Sequence, residues 1–190
     1  MNPGPVESGE GLAREPDGYA RLWTPHRMVY VDGPEKVVSS DQRDCPFCVA
    51  PGRTDEEGLI VHRGTSCFVV LNLYPYNPGH LMVCPYRHVG DLTGMTSGER
   101  AESIELVAVA MEVLRSAKGP QGFNLGMNVG TGAGAGIAGH AHSHVVPRWD
   151  GDANFLPIIG RTKAIPELLA DTRQQLATAW REHGGGDGPG

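Results

Sequence analysis

The sequence lacks long apolar runs and an excess of positive charge. No stretch approaches the roughly 18 apolar residues that span a bilayer, and residues 1–11 have neither the basic nor the apolar part of a signal peptide. We therefore expect a cytoplasmic protein without a membrane partner. Sixteen Lys and Arg against 22 Asp and Glu give a net charge of −6, which disfavours long DNA or RNA. A small phosphorylated ligand remains compatible, because a few local donors can hold it.

Cysteine is also scarce, with four in 190 residues. In a cytoplasmic chain they do not predict a disulfide framework. Cys45 and Cys48 have the spacing of zinc ligands, whereas Cys67 and Cys84 lie in apolar runs and are expected to be buried thiols. No second CxxC pair exists, so histidines must complete any zinc site. The alternative is a reduced, metal-free thiol pair.

The length predicts one folded domain with short arms. Residues 1–18 and 184–190 are rich in Gly, Pro and acidic side chains, so we expect both to be disordered. The domain then occupies 19–183. Inside it, the polar segment 41–58 contains several Pro and Gly residues and is predicted to be a loop around the cysteine pair, which a metal ion would stabilise.

Local patterns predict an α+β fold with about five antiparallel strands and two main helices. Strands are expected at 59–61, 67–73, 80–84 and 122–129. The last of these has one face of glycine and asparagine only, which leaves room for a ligand close to the backbone. One helix begins at a capping box, Thr96-Ser97-Gly98-Glu99, and ends at Gly119-Pro120 with an apolar stripe of Ile104, Val107, Ala108, Met111 and Leu114. The other has Pro166 in its first turn and a stripe of Ile165, Leu168, Leu169, Leu176 and Trp180.

Three histidines give the strongest chemical signal. His140, His142 and His144 alternate with small residues ahead of Val145-Val146-Pro147. Residues two apart on a strand share one face, so the rings are expected to line one side of a site at intervals of about 6.6 Å. A solvated histidine tract is the alternative, but such tracts lie in low-complexity sequence. The pattern favours a catalytic site.

A glycine-rich segment, 128–139, directly precedes the histidines, with Gly134, Ala135 and Gly136 at its centre. Glycine reaches the positive φ values with which backbone amides converge on an anion, so the segment indicates a phosphate cradle. It matches neither a P-loop nor a strand-to-helix dinucleotide fingerprint. A flexible linker is the alternative interpretation.

The pattern HxHxHxx over 140–146 resembles the signature of the histidine triad (HIT) superfamily, and Pro78-Gly79-His80-Leu81-Met82-Val83-Cys84-Pro85 is similar to its other recurring strand. The resemblance covers about residues 19–180. Segments 21–25, 71–80 and 147–155 are most similar to the actinobacterial diadenosine tetraphosphate phosphorylase branch. The resemblance implies a HIT-like fold and a homodimer or higher homo-oligomer.

The resemblance also implies a covalent mechanism on a small nucleotide substrate. His142 would attack the α-phosphorus of a dinucleoside polyphosphate, and water or orthophosphate would resolve the nucleotidyl-histidine. His144 would donate to the phosphate or the leaving group, and His140 would complete the catalytic triad. An alternative is a nucleotidyltransferase or phosphoramidase acting on a sugar nucleotide or biosynthetic intermediate. A nucleotide-binding sensor without turnover is a further alternative.

Other positions follow from the same resemblance. Asn128 would contact the α-phosphate and Asn72 the ribose, while for His80 we favour a supporting role. Many family members carry Ser, Thr or Gln shortly before the triad, but this chain has Gly-Ala-Gly-Ala-Gly-Ile-Ala-Gly there. The contacts to the leaving group therefore cannot be assigned from the motif.

The metal site implied by the resemblance joins the cysteine pair to two histidines. The ligand set would be Cys45, Cys48, His88 and His140, all N or S donors without an open position. Such a site predicts a structural Zn²⁺ that ties segment 41–58 to the triad and does not activate water.

Overall fold

The structure is a computed structural model that describes residues 42–152 and 167–185. The predicted arm 1–18 lies outside the described residues, as do residues 186–190 and the Ile165-Pro166 start expected for the second helix. No helix among the described residues is long and apolar enough to cross a membrane.

One antiparallel sheet organises the domain. Its five strands are β1 (Ile60–Arg63), β2 (Cys67–Leu71), β3 (Leu81–Pro85), β4 (Gly122–Gly126) and β5 (Ser143–Arg148), in the spatial order β1-β2-β3-β5-β4. The helices are α1 (Pro46–Val49), α2 (Ser97–Lys118) and α3 (Leu169–Gly185). The predicted α+β class with five antiparallel strands and two main helices is confirmed.

Helix α2 starts where the capping box predicts. The Glu99 amide donates to the Thr96 hydroxyl at 3.2 Å, and the Thr96 amide donates to the Glu99 carboxylate at 2.7 Å. The helix stops at Gly119, whose φ of 58° favours glycine. Val107 and Leu114 of the predicted stripe are buried, but Ile104 is 68% exposed. The buried face lies to one side of the predicted stripe, because more than one stripe of this helix is apolar. The buried face includes Ser103, Leu106, Val107, Ala110, Val113 and Leu114.

The sheet is covered on both faces near β2 and β3, where every residue is buried. The larger core lies between the sheet, α2 and α3, and includes the predicted helix residues Leu176 and Trp180. A smaller cluster covers the opposite face and consists of Cys45, Phe47, Ile60, Phe68, Val70, Met82 and Cys84. The cysteine segment therefore packs on the face that α2 leaves free.

Several boundaries differ from the sequence predictions, and the strands β1 to β3 each start or end one or two residues from the predicted positions. Segment 41–58 contains α1 and a 3-10 turn at Ala50–Gly52 and is not a plain loop. Strand β4 ends at Gly126, opposite His144, and Gly130 with φ of 77° then turns the chain. Helix α3 continues to Gly185, past the expected domain end at residue 183.

Candidate active site

The three histidines lie at the start of β5 and in the residues just before it. Only His144 belongs to the strand, where it pairs with Met82 of β3 and Gly126 of β4. The prediction that all three share one strand is therefore wrong for His140 and His142. Pairing with β3 ends at Ser143, and the Ala141 amide donates instead to the Val89 carbonyl at 2.6 Å. The His142 and His144 ring centroids lie 4.9 Å apart.

His142 is held as a neutral ring with one free nitrogen. Its Nδ1 lies 2.8 Å from the His140 carbonyl oxygen. A carbonyl can only accept, so Nδ1 carries the proton and Nε2 keeps its lone pair. Burial lowers the pKa of His142, which favours the neutral form. The ring therefore presents Nε2 as a nucleophile.

His144 takes its tautomer from His80. The Tyr76 amide donates to His80 Nδ1 at 3.1 Å, which leaves the His80 proton on Nε2. That Nε2 lies 2.9 Å from His144 Nδ1, so His144 accepts there and carries its own proton on Nε2. Burial and the nearby His142 lower the pKa of His144 to about 4. His144 is thus a neutral N–H donor.

The donor atom of His144 has no partner within the described part of the chain. Its Nε2 is buried and makes no hydrogen bond there. A buried polar atom without a partner costs free energy, and such atoms are often found where a ligand binds. His144 Nε2 therefore has a proton available for a bound group, and the resemblance implies that this group is the phosphate or the leaving group.

The two predicted asparagines differ in their position relative to His144. Asn72 orders the loop after β2, since its Oδ1 accepts from the Tyr74 amide at 2.9 Å and its Nδ2 lies 3.3 Å from His80 Nδ1. Asn128 and His144 line the same cavity, whose volume is about 350 Å³. Asn128 is therefore the better placed of the two predicted asparagines to meet a phosphate next to His144.

The predicted phosphate cradle is partly bonded to itself. The Gly134 amide donates to the Thr131 carbonyl at 2.9 Å and the Ala135 amide to the Gly130 carbonyl at 3.3 Å. Within the described residues we find no such bond from the Gly136 amide. Of the three predicted contacts, Gly136 has the amide best suited to an anion.

His140 faces away from the other two histidines, towards the cysteine pair. Its Nε2 lies 2.8 Å from the Pro85 carbonyl and must donate to it, so Nδ1 keeps the lone pair. That Nδ1 lies 3.4 Å from both the Cys45 and the Cys48 sulfur, and His88 Nδ1 lies 3.3 Å from Cys48. All four ligand atoms lie within 4.8 Å of one another. The structure thus brings together the four residues predicted as metal ligands.

The cluster has the dimensions of a tetrahedral zinc site. Zinc bonds to sulfur and nitrogen place these atoms roughly 3.5 Å apart at a tetrahedral angle, near the distances found here. In the absence of metal, burial and the neighbouring Cys45 raise the pKa of the Cys48 thiol to about 11. A bound cation would reverse this by favouring the thiolate. The donors therefore fit a closed structural Zn²⁺ site.

Two aromatic residues of the site were missed in the sequence. Phe47 packs with its ring centroid 5.0 Å from that of His142 and 5.5 Å from that of His140. Tyr76 lies 5.9 Å from His144 in a stacked arrangement. The position of Phe47 between the two cysteines was the available signal for it. Tyr76 carried none, because its contact with β5 depends on the return of the chain at His80.

Comparison with known proteins supports the fold and the motif. The model of the HIT domain family matches residues 53–151. AP-4-A phosphorylase of Mycobacterium tuberculosis is 53% identical over 167 residues, which cover 86% of each chain. A Zn-bound histidine triad family protein from Mycobacterium smegmatis has a TM-score of 0.62 at 23% identity, over 76% of this chain and 98% of that one. A hypothetical histidine triad nucleotide-binding protein from Sulfolobus tokodaii has a TM-score of 0.61 at 25% identity, over 73% and 93%.

The matched segment contains the whole sheet and all three histidines of the triad, although the Cys45–Cys48 pair lies before it. The resemblance to the actinobacterial branch is confirmed by the identity with the mycobacterial AP-4-A phosphorylase. The HIT-like fold is confirmed by the two solved structures. On this sequence match, fold and triad geometry, the chain belongs to the HIT family.

Proposed function

We propose that the protein transfers a nucleoside monophosphate from a dinucleoside polyphosphate to orthophosphate or water through a nucleotidyl-His142 intermediate. The observation that carries this proposal is a pair of neighbouring neutral rings, of which one has an unprotonated nitrogen available and the other an N–H group available. His142 offers a lone pair on Nε2, and His144 offers a proton on Nε2 beside it. The 53% identity with an AP-4-A phosphorylase supports the substrate class and favours orthophosphate as the acceptor.

In the first step His142 Nε2 forms a bond to the α-phosphorus while the bond to the bridging oxygen breaks. The leaving nucleotide departs as a phosphate anion, and its oxygen accepts a hydrogen bond from His144 Nε2, while His144 Nδ1 keeps its contact with His80. In the second step an oxygen of orthophosphate, or a water that loses its proton to the solvent, bonds to the same phosphorus as the bond to His142 Nε2 breaks. The His140 carbonyl holds the proton of His142 Nδ1 and stabilises the cationic ring of the intermediate.

The proposed binding groups lie around this pair. Asn128 and the Gly136 amide are assigned to the α-phosphate, with Gly134 and Ala135 shaping the loop through their own backbone bonds. Asn72 is assigned to the ribose, which requires it to exchange its contact with the Tyr74 amide or to bind through Nδ2. We assign His140 an indirect catalytic role, because its ring faces the cysteines.

We also propose that Cys45, Cys48, His88 and His140 hold a structural Zn²⁺. When bound, the ion would cross-link α1 to His140, two residues before His142, and would take no part in the reaction. Phe47 then lies against His142 on a segment that is held at both of its flanking cysteines. The proposed zinc therefore supports the position of the nucleophile.

The remaining proposals concern assembly and location. In the described sheet β4 is an edge strand, and apolar side chains are exposed on it and on α2, with Leu125 at 50% and Ile104 at 68%. Such an edge with apolar neighbours favours pairing with a second copy of the chain, as in a homodimer. Analytical ultracentrifugation checks this proposal. The cytoplasmic location stays a prediction from the sequence.

The test is incubation of the purified protein with diadenosine tetraphosphate, with and without orthophosphate, and identification of the products by mass. ADP and ATP formed only with phosphate support a phosphorylase. AMP and ATP formed without phosphate support a hydrolase. No product in either mixture would refute the dinucleoside substrate and favour the alternatives, a sugar nucleotide or a phosphoramidate.

A further inference from the structure

The leaving nucleotide needs contacts that the glycine segment does not provide. Between Gly132 and Gly139 the chain has no Ser, Thr or Gln side chain. In an in-line displacement at phosphorus, the leaving oxygen departs on the side opposite the nucleophile. A leaving oxygen that accepts a hydrogen bond from His144 Nε2 lies beside His144, so the rest of the leaving nucleotide extends away from His142 on that side.

A cavity lies in this direction. It begins at His144 and extends along β5 over Val146 to Arg148, which is about 13 Å from His144 at the rise of a strand. Its volume is about 350 Å³. The distance suits a chain of several phosphates followed by a nucleoside.

The floor of the cavity is open because of the composition of β4. Gly126 lies opposite His144, Asn124 opposite Val146, and Gly122 opposite Arg148. A methyl group placed on Gly126 or Gly122 would meet no atom within 4 Å. The glycine and asparagine face noted in the sequence therefore borders the cavity and leaves space above the strand.

Arg148 is fixed in place at the far end. Its Nε and Nη2 each lie 2.6 Å from the Asp152 carboxylate, and its Nη1 donates to Asn124 Oδ1 at 2.7 Å. Asp152 is itself held by the Asn77 amide at 2.8 Å and the Trp149 amide at 3.2 Å. The guanidinium is thus oriented before any ligand binds, and its further N–H groups lie on a side chain that lines the cavity.

We propose that this cavity receives the leaving nucleotide of the substrate, and that Arg148 recognises the distal phosphates or ribose of that nucleotide. Asn124 Nδ2 and the further N–H groups of Arg148 are hydrogen-bond donors suited to phosphate and hydroxyl oxygens, while Asn77 donates to Asp152 and to the Pro147 carbonyl. Tyr76 offers an aromatic ring at its edge. The inference rests on the proposed function, since it names the leaving half of the same substrate.

The test compares two substrates that share the adenylyl group and differ in leaving group: diadenosine tetraphosphate and adenosine 5′-phosphoramidate. The variant Arg148→Met keeps the aliphatic stem and removes the guanidinium. We expect the ratio of kcat/KM for the dinucleotide to kcat/KM for the phosphoramidate to fall about tenfold or more, the cost of a lost charged hydrogen bond. Arg148→Lys keeps the charge and should recover part of the ratio.

Arg181→Met is the matched control, because Arg181 is exposed on α3 and contacts Thr178 there. Its ratio should equal that of the wild type. An equal fall for both substrates in Arg148→Met would assign Arg148 a purely structural role and overturn the proposal. An unchanged ratio would overturn it as well.

A binding measurement separates this inference from the proposed chemistry. In a His142→Ala background, calorimetry should find diadenosine tetraphosphate bound more tightly than AMP, and adding Arg148→Met should remove most of the difference. Equal loss of affinity for both ligands would contradict the proposed cavity. Failure of the proposed function would instead be seen in the wild type, which would then leave the dinucleotide uncleaved.

Discussion

Among the residues that the structure describes, both ring nitrogens of His140 have partners, whereas at His144 only Nδ1 does. His140 lies against the Pro85 carbonyl and the sulfurs of Cys45 and Cys48. His144 has His80 on one side and a cavity on the other. The two residues are identical in type and four apart in sequence. The comparison shows that the surroundings, not the residue type, set what each ring can do. His140 Nδ1 lies against two cysteine sulfurs, whereas His144 Nε2 is left available for a ligand.

The two regions also differ in how they are assembled. The first region, which we call the cysteine end, consists of Cys45, Cys48, His88 and His140. Here the small helix α1 meets a histidine 92 to 95 residues further along the chain, and a metal could cross-link the two. The second region, which we call the reactive end, consists of His142 and His144. His144 lies on β5, and the tautomers of the two rings depend on the His140 carbonyl and the Tyr76 amide. We therefore expect changes at the first end to alter mainly stability, and changes at the second to alter mainly turnover.

The largest expected effect is at the nucleophile. His142→Ala should lower kcat by about a thousandfold or more, because the covalent route is lost. Steady-state kinetics with diadenosine tetraphosphate measures the loss, and circular dichroism checks that the fold is kept. His183→Ala is the control, since His183 pairs with Glu112 on α2. Wild-type turnover in His142→Ala would refute the intermediate.

The next effect should appear at the cysteine end as lost stability. Cys45→Ser should release zinc and lower the free energy of unfolding by on the order of 3 kcal/mol, since metal binding contributes to folding. At temperatures where the variant stays folded, kcat should change much less. Metal analysis and denaturant unfolding provide the measurements.

Cys67→Ala is the matched control for this variant, because Cys67 is a buried thiol whose sulfur contacts the Glu99 carbonyl and not the cluster. It should keep the zinc content of the wild type. Wild-type protein that contains no zinc would contradict the metal site, and an equal fall in kcat for Cys45→Ser and His142→Ala would break the proposed division between the two ends.

The smallest effect concerns pH. Burial lowers the pKa of His144 from 6.5 to about 4, so between these values the unfolded chain binds more protons than the folded one. His144 should therefore make stability fall as pH drops from about 6.5 towards 4. In His144→Asn, the free energy of unfolding, measured with urea at several pH values, should depend less steeply on pH across this range. Identical slopes would mean that His144 is not buried as a neutral ring.

Much of the architecture could be predicted from local patterns. The capping box at Thr96 and the stop at Gly119 depend on neighbours in sequence and were found, and the strand predicted at 67–73 was found over Cys67–Leu71. The exposed side of α2 was predicted less well, because apolar residues such as Ile104 occur outside the buried face. Periodicity alone cannot tell which of two apolar stripes meets the sheet.

The candidate site was predicted in its members but not in its arrangement. The resemblance named His144 and Asn128, which line one cavity, and it named the four residues that form the possible metal cluster. The strand pattern alone predicted that His140 shares a face with the other rings, whereas the metal set implied by the resemblance placed it beside the cysteines, where the structure has it. Arg148 was missed, since its fixed orientation comes from Asp152 and from Asn124 on the neighbouring strand.

The sequence by itself determined which side chains are available, where the capped helix begins, and the family to which the triad belongs. These depend on residue type and short spacing, which are local properties. Only the tertiary structure decided which nitrogen of each histidine carries a proton, because each tautomer is set by a partner such as the Tyr76 amide or the His140 carbonyl. It also decided that His140 lies against the cysteine pair while His144 borders a cavity, since burial and hydrogen bonding depend on segments that meet only in the fold.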